Sequence, residues 1–153
     1  MNVNYSLKPE AVATIKAATK RDIFEQLAER FEQVYGLDRT MVLERLDERE
    51  KLGSTGFGRG VAIPHARVYG TRRPVAVLLR LEEPVDFAAA DGMPVDIVFG
   101  LVSPENAGVA HLHALASISR AMRDERIHEA LSDARDEETL YALLSNASDR
   151  SAA

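Results

Sequence analysis

The sequence predicts an α/β fold: a single domain in which a mixed β-sheet is flanked by helices on both faces. Two nearly continuous apolar runs, residues 74–81 and 95–102, have the length and β-branched content of buried strands. Segments with apolar residues at helical spacing lie before and after these runs, and strands interleaved with helices are the mark of a layered α/β structure. The length, 153 residues, suits one hydrophobic core without a second domain.

Each element has its own signal. Residues 1–8 read as an irregular lead-in, followed by a short strand around Ala13, Thr14 and Ile15. Thr19 is an N-cap, with Asp22 three residues on as its capping-box partner. Ile23, Phe24, Leu27, Phe31, Val34 and Tyr35 then recur at helical spacing, and Gly36 ends the helix. Asp38 opens a second helix carrying Met41, Val42 and Leu46, and, Arg49 apart, the charged residues from Glu44 to Lys51 read as its solvated face. Val61, Ala62 and Ile63 form a short apolar strand. Residues 67–73, with three arginines and no apolar period, read as an exposed loop.

Glu82, Glu83 and Pro84 end the strand 74–81, and residues 85–87 suit a short edge segment. Asp91-Gly92 is a turn signal. The second long strand, 95–102, is apolar almost throughout and therefore central. A loop over 103–108 leads to a helix over 109–122. Two shorter helices follow over 125–131 and 137–144, the last opened by Arg135 or Asp136, and 146–153 reads as a frayed polar tail.

Composition narrows the function. Hydrophobic residues are 46% and charged residues 28% of the chain, ordinary values for a soluble globular domain. A net charge of −5 and a pI near 5.4 give nucleic acid or anionic lipid no attraction. The absence of cysteine removes disulfides, thiol catalysis and thiolate metal sites. Neither a signal-peptide pattern nor a membrane-length apolar run is read, so a cytoplasmic protein is expected.

The chemistry gathers at residues 53–65. Gly53, Gly56, Gly58 and Gly60 make a backbone able to turn sharply and approach a ligand closely. Pro64 stiffens the end of the strand 61–63, which leaves His65 oriented and solvent-accessible, as a nucleophile must be. Further along, His111 aligns on its helix with Leu115, Ile118 and Met122, the inward stripe, and His113 with Ser117 and Arg120. Taken alone, His111 is an ordinary core histidine; beside the His65 motif it becomes a candidate site residue. His113 and His128 are read as structural.

These residues carry a resemblance. Leu52-Gly53-Ser54-Thr55-Gly56 followed by Gly60-Val61-Ala62-Ile63-Pro64-His65 resembles the phosphohistidine signature of the type 2 (mannitol/fructose) enzyme IIA family of the bacterial phosphoenolpyruvate:sugar phosphotransferase system. The match extends through Arg49-Glu50-Lys51 before it and His111-Leu112-His113 after it, and the hydrophobic spacing agrees over most of residues 5–145. Ala66 departs from the family's usual glycine. The resemblance implies the same α/β fold, a phosphoryl group accepted on His65, and His111 as the second active-site histidine. It also implies Arg49 as the cation, with Ser54 and Thr55 as further phosphate-stabilising candidates. No cofactor and no metal are expected.

Within the family, the chain is most similar to the nitrogen-regulatory branch. That implies a small histidine phosphocarrier protein as donor, and regulated targets in nitrogen, carbon and potassium metabolism as partners. The alternative is the IIA component of a fructose/mannitol-type transporter, with a IIB component as partner. Other chemistries fit less well. Gly56-x-Gly58-x-Gly60 precedes its strand instead of following it, unlike a dinucleotide fingerprint. There is no Walker A sequence and no Gly-x-Ser-x-Gly elbow. A metal site built from His65, His111, His113 and a carboxylate would need His111-Leu112-His113 on a strand, where alternate residues share a face.

Overall fold

The computed structural model describes residues 4–152, with side chains through residue 146. Chain order is β1 (Val12–Ile15), α1 (Lys20–Tyr35), α2 (Arg39–Lys51), β2 (Gly56–Gly58), β3 (Val61–Ala62), β4 (His65–Val68), β5 (Val75–Val85), β6 (Val95–Pro104), α3 (Val109–Arg123), α4 (Glu125–Asp133) and α5 (Glu137–Ala152). A single turn of 3₁₀ helix, Pro9–Ala11, precedes β1. The sheet runs β1-β5-β6-β3-β2, with β4 also on β6. Pairings of β5 with β6 and β2 with β3 are antiparallel and the others parallel, so the sheet is mixed as expected.

Both long strands are buried on both faces, and alternate side chains enter different cores. On one side α1 and α2 bring Phe24, Leu27, Phe31, Val42 and Leu46 against Val77, Leu79, Val98 and Val102. On the other, α3, α4 and α5 bring Ile118, Met122, Leu131, Leu140 and Leu144 against Leu78, Ile97, Phe99 and Leu101. Full burial of a Phe31 or a Leu131 contributes roughly 1.5–3 kcal/mol each. The helix caps form as their residues dictate. The Thr19 side chain accepts from the Asp22 N–H, that of Asp38 from the Met41 N–H, and Gly36 takes the left-handed conformation with φ 71°. Among the described residues no helix is long and apolar enough to cross a membrane.

Four expectations are corrected. The run after Pro64 is not a loop: β4 continues along β6 with Ala66 and Val68 buried and Arg67 exposed. Its period of two spans only four residues, too few to stand out beside the arginines. His65 therefore opens a strand and does not close one. Secondly, β5 does not stop at Glu82 but continues through Pro84 to Val85, which pairs with Val95 across a register irregularity. The missing N–H of Pro84 falls at that irregularity. Thirdly, β6 includes Ser103 and Pro104, shortening the loop before α3. The last helix extends past Leu144 to Ala152; side chains of the expected tail from residue 147 on lie outside the described ones.

The segment between α2 and β3 packs against the segment after β5 through Gly56. A Cβ added there would lie 2.6 Å from the Ala89 Cβ and 2.8 Å from its Cα. Since Ala89 backbone is involved, no rotamer change relieves the clash. Gly56→Ala is expected to destabilise the protein by about 1–3 kcal/mol, the usual cost of overpacking. Chemical denaturation of the variant checks this; an unchanged midpoint would mean that the two segments separate freely.

Candidate functional site

His65 stands at an interruption in a strand. β3 pairs Val61 and Ala62 with Ile97 and Val98, and β4 pairs His65 and Ala66 with Leu101 and Val102. The offset is the same on both sides, so residues 61–68 follow one line along β6, broken only at Ile63-Pro64. The break keeps its outer contacts: the Leu101 N–H donates to the Pro64 carbonyl and the Ile63 N–H to the Thr55 carbonyl, both at 2.9 Å. The Ile63 carbonyl is left to the His65 ring, whose Nδ1 lies 2.7 Å away. A carbonyl only accepts, so Nδ1 carries the hydrogen and Nε2 holds the lone pair. The His65 pKa lies below the ordinary histidine value, first because of burial and then because of the Arg49 charge; the Ile63 hydrogen bond and Glu50 oppose this. The result is a neutral imidazole of defined tautomer.

His111 lies in the first turn of α3, where the helix dipole is positive. Its ring centroid is 5.8 Å from that of His65, with the planes tilted by 45°. The residue is only 6% exposed, and its Nδ1 is 2.7 Å from the Ser103 Oγ. Burial, together with the neighbouring His65 and Arg67, pushes its pKa down to about 4. Two uncharged imidazoles thus face each other at neutral pH. On the rest of the helix the buried face differs slightly from the expected stripe: Leu115 is half-buried, while Ala114, Ser117 and Ala121 join Ile118 and Met122 inside.

Arg49, in the last turn of α2, donates from Nη1 to the Gly53 carbonyl at 2.9 Å. With His65, His111 and Arg67 it lines an open cleft of about 430 Å³. A second open cleft, of about 330 Å³, lies on the other side of His65, between Ser54, Phe57 and Leu115. Arg67, expected in a loop, lies two residues past His65 in β4 and shares the His65 face of the strand. Ser54 and Thr55 hold the loop. The Ser54 Oγ accepts from the Gly56 N–H at 3.0 Å and lies 3.5 Å from the Phe87 carbonyl. Thr55 is buried, and its hydroxyl and N–H both donate to the Glu50 carboxylate.

Glu50 is the residue that sequence reasoning missed. Its side chain is only 7% exposed, accepts from Thr55 and forms an ion pair of 2.6 Å with Lys20 of α1. A signal existed: Val42, Leu46 and Glu50 succeed one another at steps of four, so Glu50 prolongs the buried stripe of α2. Its place in a run of charges concealed this.

The structure brings together His65, His111 and Arg49 and leaves the other histidines apart. His113 is exposed on α3, so the alternate-residue pairing that a metal site would need does not arise. His128 pairs through Nε2 with the Asp96 Oδ1 at 2.9 Å. Among the described residues no group of three or more His, Asp or Glu side chains is arranged to hold a metal ion. Arg59 is turned away, its Nη1 bonded to Glu125. Such an arrangement could serve a nucleophile toward an anionic electrophile: a half-buried, neutral imidazole with arginine cations and a helix N-terminus around it.

Comparison with known proteins shows which family the chain resembles in sequence and fold. The family model described as "Phosphoenolpyruvate-dependent sugar phosphotransferase system, EIIA 2" matches residues 6–147. A nitrogen regulatory protein of Bradyrhizobium diazoefficiens is 39% identical over 145 residues, covering 94% of this chain and 95% of that one. A fructose-specific EIIA component of Haloferax volcanii is 35% identical over 107 residues, covering 70% of each chain. The crystal structure of nitrogen regulatory protein IIA-Ntr from Neisseria meningitidis superimposes with a TM-score of 0.84 at 37% identity, covering 90% of this chain and 95% of that one. The chain belongs to the type 2 enzyme IIA family of the phosphoenolpyruvate-dependent sugar phosphotransferase system.

Proposed function

We propose that the protein accepts a phosphoryl group on His65 Nε2 from a small histidine phosphocarrier protein, in the cytoplasm, and that its phosphorylation state regulates nitrogen, carbon and potassium metabolism. The observation that carries this reading is the 2.7 Å contact from His65 Nδ1 to the Ile63 carbonyl. It leaves Nε2 unprotonated and available beside His111 and Arg49.

Transfer then follows from the geometry. The lone pair on His65 Nε2 attacks phosphorus in line as the nitrogen–phosphorus bond of the donor phosphohistidine breaks, and the donor imidazole leaves with that electron pair. The Nδ1–H stays on His65, where the Ile63 carbonyl balances the positive charge the ring acquires. His111 and Arg49 steady the phosphoryl oxygens, with Ser54, Thr55 and the loop N–H groups supporting the loop around them. Positioning and electrostatics supply most of the catalysis in such a reaction. Similarity to nitrogen regulatory proteins supports the regulatory reading. Similarity to a fructose-specific component supports the second one, onward transfer to a IIB component of a transporter. Incubating the phosphorylated protein with a fructose-type IIB domain distinguishes them: rapid onward transfer favours transport.

Incubation with phosphoenolpyruvate, enzyme I and the phosphocarrier is expected to add one acid-labile, base-stable phosphoryl group, read by intact mass. His65→Ala is expected to abolish it with the fold retained, by circular dichroism. Labelling that persists in this variant would refute His65 as the acceptor. His111→Ala should leave His65 able to accept but slow the transfer about tenfold to a hundredfold, the value of one charge-assisted hydrogen bond.

The depressed His111 pKa has a consequence for stability. Its folded value is about 4 against 6.5 for the free group, so the unfolded chain binds the extra proton first as pH falls. The His111 contribution to stability is complete above pH 6.5 and is lost as pH falls toward about 4. Thermal melts across this window should show a shallower pH dependence in His111→Asn than in the unmodified protein; parallel curves would mean that His111 takes up its proton equally well in the folded and unfolded chain.

Glu50→Gln keeps the shape but loses the charge that Thr55 and Lys20 share. It should lower stability by about 1.5–3 kcal/mol, as for hydrogen bonds to a charged group, and slow phosphorylation of His65 as the loop loosens. Equal stability with equal transfer rate would show that Glu50 does not hold the loop.

A further inference from the structure

The geometry points to Ser103 as a positioning residue: its hydroxyl hydrogen goes to His111 Nδ1 and holds His111 in the tautomer that presents Nε2–H to the phosphoryl group. The inference rests on the phosphoryl-transfer reading above and assigns a role to a residue outside the motif.

Ser103 is in β6, one residue before its end, and is completely buried. Its Oγ lies 2.7 Å from His111 Nδ1, and among the described residues that hydroxyl forms no other hydrogen bond. Two arrangements satisfy the distance. Either the serine O–H donates to Nδ1, and Nε2 carries the imidazole hydrogen, or Nδ1–H donates to Oγ, and Nε2 is bare. A neutral imidazole has one donor and one acceptor; a hydroxyl has one donor and two acceptor sites.

The second arrangement leaves the serine hydrogen in the core without an acceptor, which costs a full desolvation penalty. The first leaves only a spare acceptor lone pair, a far smaller loss. It also suits the chemistry. A bare Nε2 would turn a lone pair toward anionic phosphoryl oxygens, whereas Nε2–H donates to them. The burial that keeps His111 uncharged makes this choice of tautomer the only way in which it can be a donor in the cleft.

The two histidines therefore take opposite tautomers from two different partners. The Ile63 carbonyl, which can only accept, puts the hydrogen of His65 on Nδ1 and leaves Nε2 nucleophilic. The Ser103 hydroxyl, whose hydrogen has a single destination, puts that of His111 on Nε2. One ring supplies the electron pair and the other the hydrogen bond.

Long-range ¹H–¹⁵N spectra of the uniformly labelled full chain test this directly. In the unmodified protein at neutral pH, His111 Nδ1 should resonate as an unprotonated nitrogen and Nε2 as a protonated one. Ser103→Ala should give a mixture of tautomers at His111 and slow phosphorylation of His65 by about twofold to tenfold, the value of one neutral hydrogen bond. Ser103→Thr should restore both, and in a His111→Ala background Ser103→Ala should slow transfer no further. A protonated Nδ1 at His111 in the unmodified protein overturns the proposal, whether or not the serine variants fold. So does a Ser103→Ala protein with unchanged tautomer and rate. If His65 takes up no phosphoryl group at all, the phosphoryl-transfer reading fails instead, and the spectrum still decides whether Ser103 sets the tautomer.

Discussion

The interruption of one strand at Ile63-Pro64, held in register by β6, is the constraint on which the site depends. Had residues 61–68 paired without a break, the Ile63 carbonyl would serve the sheet like its neighbours and the His65 ring would have no fixed acceptor. Because β6 carries partners for both halves at a constant offset, the break costs little pairing. The Leu101 N–H still finds the Pro64 carbonyl, and Pro64 contributes no N–H that would need an acceptor. The imidazole is thereby oriented by backbone, the most rigid partner available, and its Nε2 keeps the lone pair.

Around that fixed ring the site is built from elements distant in sequence, each tied to the sheet by a different interaction. Glu50 links α2 to the glycine-containing loop through Thr55 and to α1 through Lys20, so two helices and the loop move together. The loop is also pressed against Ala89 at Gly56. Arg49 follows as the neighbour of Glu50, its guanidinium steadied by the Gly53 carbonyl. From the opposite face of the sheet, α3 delivers His111 at its positive end. The two helical layers thus meet at the end of β6, where the strand turns into the loop preceding α3.

Electrostatically the site is poised and not charged to excess. Burial depresses both histidine pKa values, and the arginines add to this effect. The same arginines would stabilise an incoming anion, so the environment that disfavours a proton on the rings favours a phosphoryl group beside them. Arg45 is drawn off toward Glu105 and the Tyr69 ring, forming one wall of the cleft.

How much of this was legible from residues alone differs from part to part. The α/β layering, both helix caps and the buried strands follow from local periodicity and cap chemistry, because those signals need only a few neighbouring residues to be expressed. That His65, His111 and Arg49 would stand together was legible too, the first from Pro64 and the glycines, the others with the help of the family pattern. The extension of the strand over His65–Val68, the shared face of Arg67 and the burial of Glu50 were not. Nor were the partners that set the two tautomers, Ile63 and Ser103. Each of these depends on a pairing register or a helix docking between segments far apart in the chain. A glutamate in a run of charges has the same local sequence whether it faces water or a threonine hydroxyl. Only the packing of α2 against the loop, and of α3 against the end of β6, decides which polar groups lose water and must find one another.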